Sequence, residues 1–287
     1  MKITEYITAL RENIGKAREQ GKTVVLIPTM GYLHYGHLSM AEAARKQDED
    51  HEEIYIVMSI FVNPLQFGPQ EDFDKYPRNL GRDSSLAQEA GVDILFVPAI
   101  EEMYPERENL TQVSVSGLTN ILCGLQRPGH FQGVTTVVAK LFNIVLPDVA
   151  YFGQKDYQQF VVIKQMVKDL NIPVKLIAAP TVREADGLAM SSRNSYLEAK
   201  ERKQAPILYH SLLEGASLIA SGEKRPEVVR EKIRQKINKE TSGKIEYVEI
   251  LKADNLGPVD TLQGQVVIAL AVHFGPTRLI DNILVEV

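Results

Sequence analysis

Residues 23–38 read TVVLIPTMGYLHYGHL, and this stretch decides how the chain folds. Residues 23–27 are apolar on both faces of an extended chain, which is typical of a strand buried inside a parallel sheet. A loop that contains Gly31 and Gly36 follows, and residues 37–46 have the composition of a helix. We therefore predict a strand, a loop at its carboxyl end and a helix, which is the repeating unit of α/β proteins.

The same alternation extends on both sides of this stretch, up to residue 178. The spacing of Ile3, Ile7, Leu10 and Ile14 predicts an amphipathic helix at the start of the chain. The other predicted elements are strands at 54–60, 93–98, 149–152 and 174–178, and helices at 80–90, 134–145 and 157–170. In such sheets, ligands bind beyond the carboxyl ends of the strands. The loops to examine therefore follow strands, at 28–36, 61–78, 153–156 and after 178.

The pattern changes near residue 182. Two helical stretches, 197–220 and 226–239, precede three strand-like runs at 244–251, 265–272 and 278–285. Helices followed by consecutive strands predict a small α+β domain with an antiparallel sheet. The predicted fold class is thus α/β, with a parallel-sheet domain over 1–182 and a smaller C-terminal α+β domain over 183–287.

Composition excludes several classes of protein. The net charge of -5 argues against a protein that coats nucleic acid. Cys123 is the single cysteine, so neither an internal disulfide nor a cysteine-based zinc site can form. The longest apolar run, 266–272, is far shorter than the roughly 20 residues that span a bilayer. We expect a soluble, cytoplasmic protein that binds neither nucleic acid nor a membrane.

The loop after residues 23–27 has the features of an anion site. A helix start offers free N–H groups and the positive end of the helix dipole, and glycine allows a ligand to approach the backbone. His34 and His37 lie where their rings can donate hydrogen bonds to phosphate oxygens. Two alternatives stay open: an ordinary surface turn, or a metal site, for which no acidic third ligand lies nearby.

Four other segments carry polar groups suited to small substrates or phosphates. They contain Asn63 with Gln66, Arg127 with His130, Lys155 with Asp156, and Ser191 and Ser192 with Arg193. Neutral amides suit hydroxyls and carboxylates, whereas hydroxyls and guanidinium groups suit phosphate oxygens. Each segment also has a structural explanation as an ordinary loop, a surface turn or a helix cap. Singly, these signals are weak.

In combination and in this order, the segments resemble the pantoate–β-alanine ligase family of the nucleotidyltransferase superfamily. The family's His-x-Gly-His signature is similar to residues 34–37, and its mobile phosphate-binding signature is similar to residues 190–193. The resemblance covers nearly the whole chain and is strongest at 28–38, 61–67, 127–133, 153–159 and 186–197. One difference is Gln154, where many relatives have glutamate.

The resemblance implies a Rossmann-like catalytic domain over 1–182, which binds ATP and pantoate, and a lid domain over 183–287. It implies that pantoate is ligated to β-alanine through pantoyl adenylate, with release of AMP and pyrophosphate. The product is pantothenate, a precursor of coenzyme A. Mg²⁺ is expected to enter with ATP, and the family is expected to form homodimers.

The resemblance also implies a role for each site residue. The catalytic group is His34, His37, Lys155 and Arg193. The ATP site is Met30, Gly31, His34, Gly36, His37, Gly153, Gln154, Lys155, Asp156, Val182, Met190, Ser191, Ser192 and Arg193. The site for pantoate and β-alanine is Asn63, Gln66, Gln159 and Arg127. Asp83 is the expected protein contact of Mg²⁺.

Two other functions remain open. A nucleotidyltransferase that moves a nucleotide onto a phosphate ester shares the histidine signature, and a nucleotide-binding module without activity is the second alternative. The neutral side chains Asn63, Gln66 and Gln159 favour a hydroxy acid over a phosphorylated acceptor. The products distinguish these functions, because a ligase releases AMP and pyrophosphate whereas a transferase keeps the nucleotide.

We predict that residues 183–195 are mobile without ligand and become protected from hydrogen exchange when ATP or the adenylate binds. The physical reason is a contact between Arg193 and ATP phosphates that exists only in the closed state. The substitution Arg193→Ala should reduce this protection and slow adenylate formation together. Equal protection with and without ATP would contradict a lid.

Overall fold

The computed structural model describes residues 1–46, 53–69, 71–106 and 111–287 of the chain. These residues form two compact units. Unit 1 contains residues 1–154 and 162–180, and unit 2 contains residues 155–161 and 181–287. The division of the chain at 182/183 into a catalytic and a lid domain stays a prediction.

A six-stranded parallel sheet forms the centre of unit 1. Its strands lie in the order β1-β4-β3-β2-β5-β6. Their bounds are β1 Lys2–Thr4, β2 Thr23–Thr29, β3 Ile54–Ile60, β4 Ile94–Phe96, β5 Val149–Gly153 and β6 Lys175–Ala179. The helices are α1 Ile7–Glu19, α2 Tyr35–Lys46, α3 Leu80–Glu89, α4 Ile100–Met103, α5 Leu122–Gln126 and α6 His130–Val145. A seventh helix, α7 Tyr157–Asp169, begins in unit 2 and ends in unit 1.

Both faces of this sheet are covered, as its apolar strands require. Val25 and Ile27 of β2 pack into a buried cluster with Met40 and Ala41 of α2. Side chains alternate along a strand, so Leu26 points to the opposite face, where α1 and α6 contact β2. Leu26 is fully buried. Only the strand ends are therefore left for ligands.

The order of the strands places a switch point between β2 and β5. From β2 the chain continues through β3 and β4 on one side, and it returns to β5 and β6 on the other. Ligands of such sheets bind at this point, beyond the carboxyl ends of the strands. The loops after β2, β3 and β5 are consequently the part of unit 1 in which to look for a site.

Unit 2 is built on a three-stranded antiparallel sheet in the order β7-β8-β9. The strands are β7 Lys244–Lys252, β8 Gln265–Phe274 and β9 Thr277–Glu286, and the helices are α8 Ala199–Gln204, α9 Ile207–Ala220 and α10 Pro226–Glu240. Leu212 of α9 and Ile233 of α10 pack with Ile268 and Leu270 of β8 in one buried cluster. Unit 2 thus has a core of its own.

The predicted fold class is confirmed, whereas some predicted elements are wrong. Ile3 lies in β1, not in the first helix, because residues 2–4 pair with β4 as a short edge strand. The predicted helix 197–220 is two helices. Pro206, whose nitrogen carries no hydrogen, stands at the start of α9 and interrupts the ladder of helical hydrogen bonds. Helix α6 also starts four residues before the predicted Val134, at His130.

Within the residues that the structure describes, no helix combines the length and the apolar character needed to cross a membrane.

Candidate active site

The loop after β2 is held by a carboxylate from α3. Asp83 is 1% exposed, and its two oxygens accept hydrogen bonds from the backbone N–H groups of Tyr32 at 2.7 Å and Leu33 at 2.8 Å. Tyr32 has a φ of 48°, in the left-handed region that non-glycine residues rarely adopt. Gly31, with a φ of 82°, leaves no room for a side chain, since a β-carbon there would lie 2.8 Å from Ile60. Asp83 thus stabilises a loop shape that the local sequence does not favour.

This loop carries the two histidines to the first turn of α2. Their ring centroids are 4.0 Å apart. The backbone N–H of His34 donates to Nδ1 of His37 at 3.3 Å. Because that N–H is a donor, Nδ1 must be unprotonated, and the hydrogen of a neutral His37 ring lies on Nε2. His37 therefore presents a donor at Nε2.

The loop after β3 places two amides together. Asn63 is 1% exposed, and its Nδ2 donates to Oε1 of Gln66 at 3.2 Å. Gln66 is half-buried, and its Nε2 donates to Sδ of Met30 at 3.1 Å. The ends of β2 and β3 thus bring Gln66 into contact with both Met30 and Asn63, as the parallel sheet predicts.

The backbone of Gln66 is held by a cluster of charged and polar side chains. Arg127 donates two hydrogen bonds of 2.6 Å to the carboxylate of Glu71, and a third of 3.3 Å to the carbonyl of Gln66. Nδ1 of His130 lies 2.8 Å from the same carbonyl, and Arg127 lies 3.0 Å from Nε2 of His130. Arginine only donates, so Nε2 accepts and Nδ1 donates to Gln66. Arg127, which was predicted at the mouth of the site, thus lies in this cluster behind the backbone of Gln66.

The carboxylate of Glu71 is stabilised in its ionised form. Burial alone would raise the pKa of Glu71, but the hydrogen bonds and the charge of Arg127 outweigh it and hold that pKa below its usual value. The side chains of Arg127 and Glu71 are 17% and 26% exposed, so solvent screens this ion pair only partly. The cluster is therefore sensitive to acid.

Helix α6 packs directly on the turn that carries Gln66. Gly133 is buried, and a β-carbon there would lie 2.6 Å from the backbone nitrogen of Gln66 and would clash with the carbonyl of Leu65. Real β-carbons do not approach so closely. Glycine at 133 thus allows α6 to contact the backbone of this turn directly and so to fix its position.

Unit 2 contains most of the remaining predicted site residues. Lys155 and Asp156 lie in a 3-10 turn that begins at Gln154, with Nζ of Lys155 3.9 Å from Oδ1 of Asp156. The N–H of Met190 donates to the carbonyl of Val182 at 2.9 Å. The hydroxyl of Ser191 accepts a hydrogen bond from the N–H of Arg193, and Ser192 is 9% exposed. Gln159 is half-buried in α7. In unit 1, Gly153 is the last residue of β5 and Gln154 is the first residue of the 3-10 turn.

A buried ion pair supports this part of unit 2. Arg183 forms two hydrogen bonds, of 2.7 and 2.9 Å, to Asp281, which is 3% exposed. The guanidinium also stacks 3.6 Å from the centroid of the Tyr209 ring. Asn282, next in sequence, donates to the carbonyl of Lys155 at 2.9 Å. Strand β9 thus holds both the backbone of Lys155 and the hairpin that begins at Val182.

The expected contact of Asp83 with Mg²⁺ stays a prediction, and in the structure this carboxylate is engaged with the loop after β2. Both of its oxygens already accept backbone hydrogen bonds, and Arg82 lies 3.4 Å from one of them. In the described ranges, no group of three or more His, Cys, Asp or Glu side chains is arranged to hold a metal ion. The role of the Asp83 carboxylate that the structure shows is to hold the loop after β2.

Sequence reasoning missed several residues that support the site. Glu71 and Tyr104 contact it from positions 56 and 41 residues away along the chain, and Arg183, Asp281 and Asn282 act within unit 2. None of them belongs to a periodic pattern or a motif. The sequence showed the loops that these residues support, but it did not show the supporting residues themselves.

Comparisons with known proteins agree on one family. A family model described as pantoate-beta-alanine ligase matches residues 2–284. A pantothenate synthetase from Moorella thermoacetica is 55% identical over 287 residues, covering 100% of this chain and 99% of the relative. One from Acetivibrio thermocellus is also 55% identical and covers 100% of both chains.

Solved structures give the same result. The pantothenate synthetase of Thermus thermophilus is 44% identical, with a TM-score of 0.93 and full coverage of both chains. The pantoate-beta-alanine ligase of Francisella tularensis, crystallised with beta-gamma ATP and beta-alanine, is 34% identical with a TM-score of 0.78. It covers 99% of this chain, and the match spans 97% of that structure.

We expect Asp83→Asn to loosen the loop after β2. The NH₂ group of asparagine replaces one of the two carboxylate oxygens, so one of the two backbone N–H groups loses its acceptor. Losing one buried partner costs about 1–3 kcal/mol. In metal-free buffer, amide hydrogens of the segment around Tyr32 and Leu33 should exchange faster in the variant. The exposed Asp74→Asn is the matched control. Unchanged exchange would contradict the role of Asp83 in the loop.

We expect Glu71→Gln to be less stable than the wild type by about 1–2 kcal/mol at neutral pH, since the pair with Arg127 becomes a weaker neutral one. The folded-state pKa of Glu71 is lowered, so its contribution is present above its usual pKa and is lost as the pH falls through the folded-state value. The difference between wild type and variant should therefore shrink in acid.

Urea unfolding at a series of pH values measures this difference. The exposed Glu12→Gln should match the wild type throughout. A difference for Glu71→Gln that stays constant with pH would show that the carboxylate's charge contributes nothing.

Proposed function

The chain belongs to the pantoate-beta-alanine ligase family, and on that premise we propose how its residues carry the reaction. The enzyme is a ligase that uses ATP to join pantoate and β-alanine in pantothenate biosynthesis. We propose that pantoate first attacks the α-phosphorus of ATP to give pantoyl adenylate and pyrophosphate. The amine of β-alanine then attacks the acyl carbon and releases AMP.

The loop from Met30 to His37 carries this proposal. It follows β2 at the switch point of the sheet, and the buried carboxylate of Asp83 holds it in place. A loop fixed before the ligand arrives loses little entropy on binding, and donors fixed in place stabilise charge without reorganising. Charge grows on the α-phosphate and on pyrophosphate during the first step, so fixed donors next to them accelerate it.

His37 is the donor that this geometry supports best. Its Nδ1 is engaged by the backbone of His34, which orients Nε2 as a donor. We propose that Nε2 of His37 hydrogen-bonds a phosphate oxygen of ATP in the first step, with His34 beside it. Lys155, Ser191, Ser192 and Arg193 are proposed to bind the remaining phosphate oxygens. The carboxylate of pantoate and the triphosphate repel each other, and these cationic and neutral donors offset that repulsion.

The amides after β3 are proposed to form the pantoate site, together with Gln159. Their neutrality suits a substrate that has a carboxylate and two hydroxyls, since no charge on the protein has to be desolvated. Met30, Gly31, Gly36, Gly153, Gln154, Asp156, Val182 and Met190 are proposed to line the ATP site. Mg²⁺ is proposed to enter with ATP on phosphate oxygens and water. A homodimer, a cytoplasmic location and the lack of a nucleic-acid partner stay predictions.

An isotope-exchange assay tests the proposed function. The purified enzyme should exchange labelled pyrophosphate into ATP when pantoate is present and should not do so with β-alanine alone. Adding both substrates should yield pantothenate, AMP and pyrophosphate in equal amounts. A product that keeps the nucleotide would instead support a nucleotidyltransferase, and binding of ATP without exchange would support a module without activity.

We expect His37→Asn and His37→Gln to separate the two nitrogens of this ring. Asparagine keeps an acceptor near the position of Nδ1 and loses the donor at Nε2, whereas glutamine extends an amide donor towards the position of Nε2. Loss of a single charge-stabilising donor slows such steps by about 10²- to 10³-fold. His37→Asn should therefore form adenylate more slowly than His37→Gln, with little change in thermal stability. The reverse order would assign the role to Nδ1.

A further inference from the structure

We propose that Tyr104 and Asn63 are positioning residues that fix the amide of Gln66 with its NH₂ group towards the substrate. The inference rests on the proposed function, because it concerns how pantoate is recognised. It changes the expected role of Asn63, which becomes the support of Gln66 and not a contact of pantoate. It also adds Tyr104 to the residues on which substrate binding depends.

The orientation of the Asn63 amide is determined by partners that have one role each. The carbonyl of Gly133 only accepts, and it lies 3.1 Å from Nδ2. The backbone N–H of Leu65 only donates, and it lies 3.3 Å from Oδ1. A flipped amide would face an acceptor with an acceptor and a donor with a donor. Asn63 therefore has one allowed orientation.

The hydroxyl of Tyr104 and the amide of Gln66 use the remaining capacity of Asn63. Tyr104 donates to Oδ1 at 2.8 Å, and Nδ2 donates its second hydrogen to Oε1 of Gln66 at 3.2 Å. An amide has two donor hydrogens and two lone pairs, so all four are used within the protein. With 1% of its surface exposed, Asn63 has no group left for pantoate.

The orientation of Asn63 determines that of Gln66. Because Oε1 accepts from Asn63, the NH₂ group of Gln66 points the other way, to Sδ of Met30 at 3.1 Å. A thioether is a weak acceptor, so replacing it with a carboxylate or hydroxyl oxygen gains hydrogen-bond energy. Gln66 therefore recognises an acceptor, and we assign this acceptor to the carboxylate or a hydroxyl oxygen of pantoate.

The surroundings of Tyr104 keep its hydroxyl as a donor. Burial raises the pKa of this phenol well above its usual range, so the group stays neutral at physiological pH. Nζ of Lys140 lies 5.5 Å from the centre of the ring, and the ring of Phe61 lies 5.9 Å away. The packing holds the ring at the end of the relay Tyr104–Asn63–Gln66, in which each member donates to the next.

The test is Tyr104→Phe, which removes one hydroxyl and keeps the ring. The KM for pantoate should rise about five- to tenfold, as expected when one hydrogen bond to a buried acceptor is lost. The KM for ATP should stay within about twofold, because no member of the relay is proposed to bind ATP. The matched control is Tyr55→Phe, a half-buried tyrosine near the amino end of β3, which should leave both constants unchanged.

A double-mutant cycle distinguishes positioning from a general structural effect. If Tyr104 acts through Gln66, adding Tyr104→Phe to Gln66→Ala should change the KM for pantoate no further. Multiplied effects of the two substitutions would overturn the relay, and so would a Tyr104→Phe enzyme with the wild-type KM for pantoate.

A second variant reverses the polarity and keeps the inference testable if Tyr104→Phe folds poorly. Gln66→Glu presents oxygens where the amide presents hydrogens, so calorimetry should find weaker pantoate binding than for Gln66→Ala. Binding equal to or stronger than that of Gln66→Ala would overturn the proposed orientation. A wild-type enzyme that makes no pantothenate would instead overturn the proposed function, so the two failures are distinguishable.

Discussion

A parallel sheet that is buried on both faces gives a ligand access only at the ends of its strands. This constraint follows from the apolar sequence of β2 and β3, whose consecutive residues need a cover on each side. The proposed ligand contacts of unit 1 therefore lie on loops at the carboxyl ends of the strands. Loops have no ladder of hydrogen bonds to keep their shape, so the site depends on how each of them is held.

In both loops of unit 1, buried polar groups provide this support. Asp83 accepts hydrogen bonds from the backbone of the loop after β2. In the loop after β3, Asn63 forms hydrogen bonds with the side chain of Gln66, with the backbone of its own loop and with the carbonyl of Gly133 in α6. Each is buried and has several partners, which offsets the cost of removing it from water. The residues that hold the loops are thus distinct from the residues that we propose to contact the ligands. Rigid loops with separate supports are typical of sites that stabilise charge by preorganisation.

Local patterns in the sequence predicted most of the strands, most helices and the loops that carry the candidate site. Strand β3 lies at the predicted residues 54–60, because apolar residues bounded by polar ones are a local signal. The edge strand with Ile3 was missed, since three residues are too few to establish a period. Glu71 and Tyr104 were missed for another reason: their partners, Arg127 and Asn63, are far away in sequence, and only the folded chain brings them together.

Asn63 is followed directly by Pro64, and this order has a chemical consequence. Deamidation of an asparagine begins when the backbone nitrogen of the next residue, once it has lost its hydrogen, attacks the side-chain amide. Proline has no such hydrogen, so the cyclic imide cannot form by this route. Conversion of Asn63 to aspartate would place a negative charge against the carbonyl of Gly133, inside the protein. The neighbouring ring thus protects the amide from chemical ageing throughout the lifetime of the enzyme.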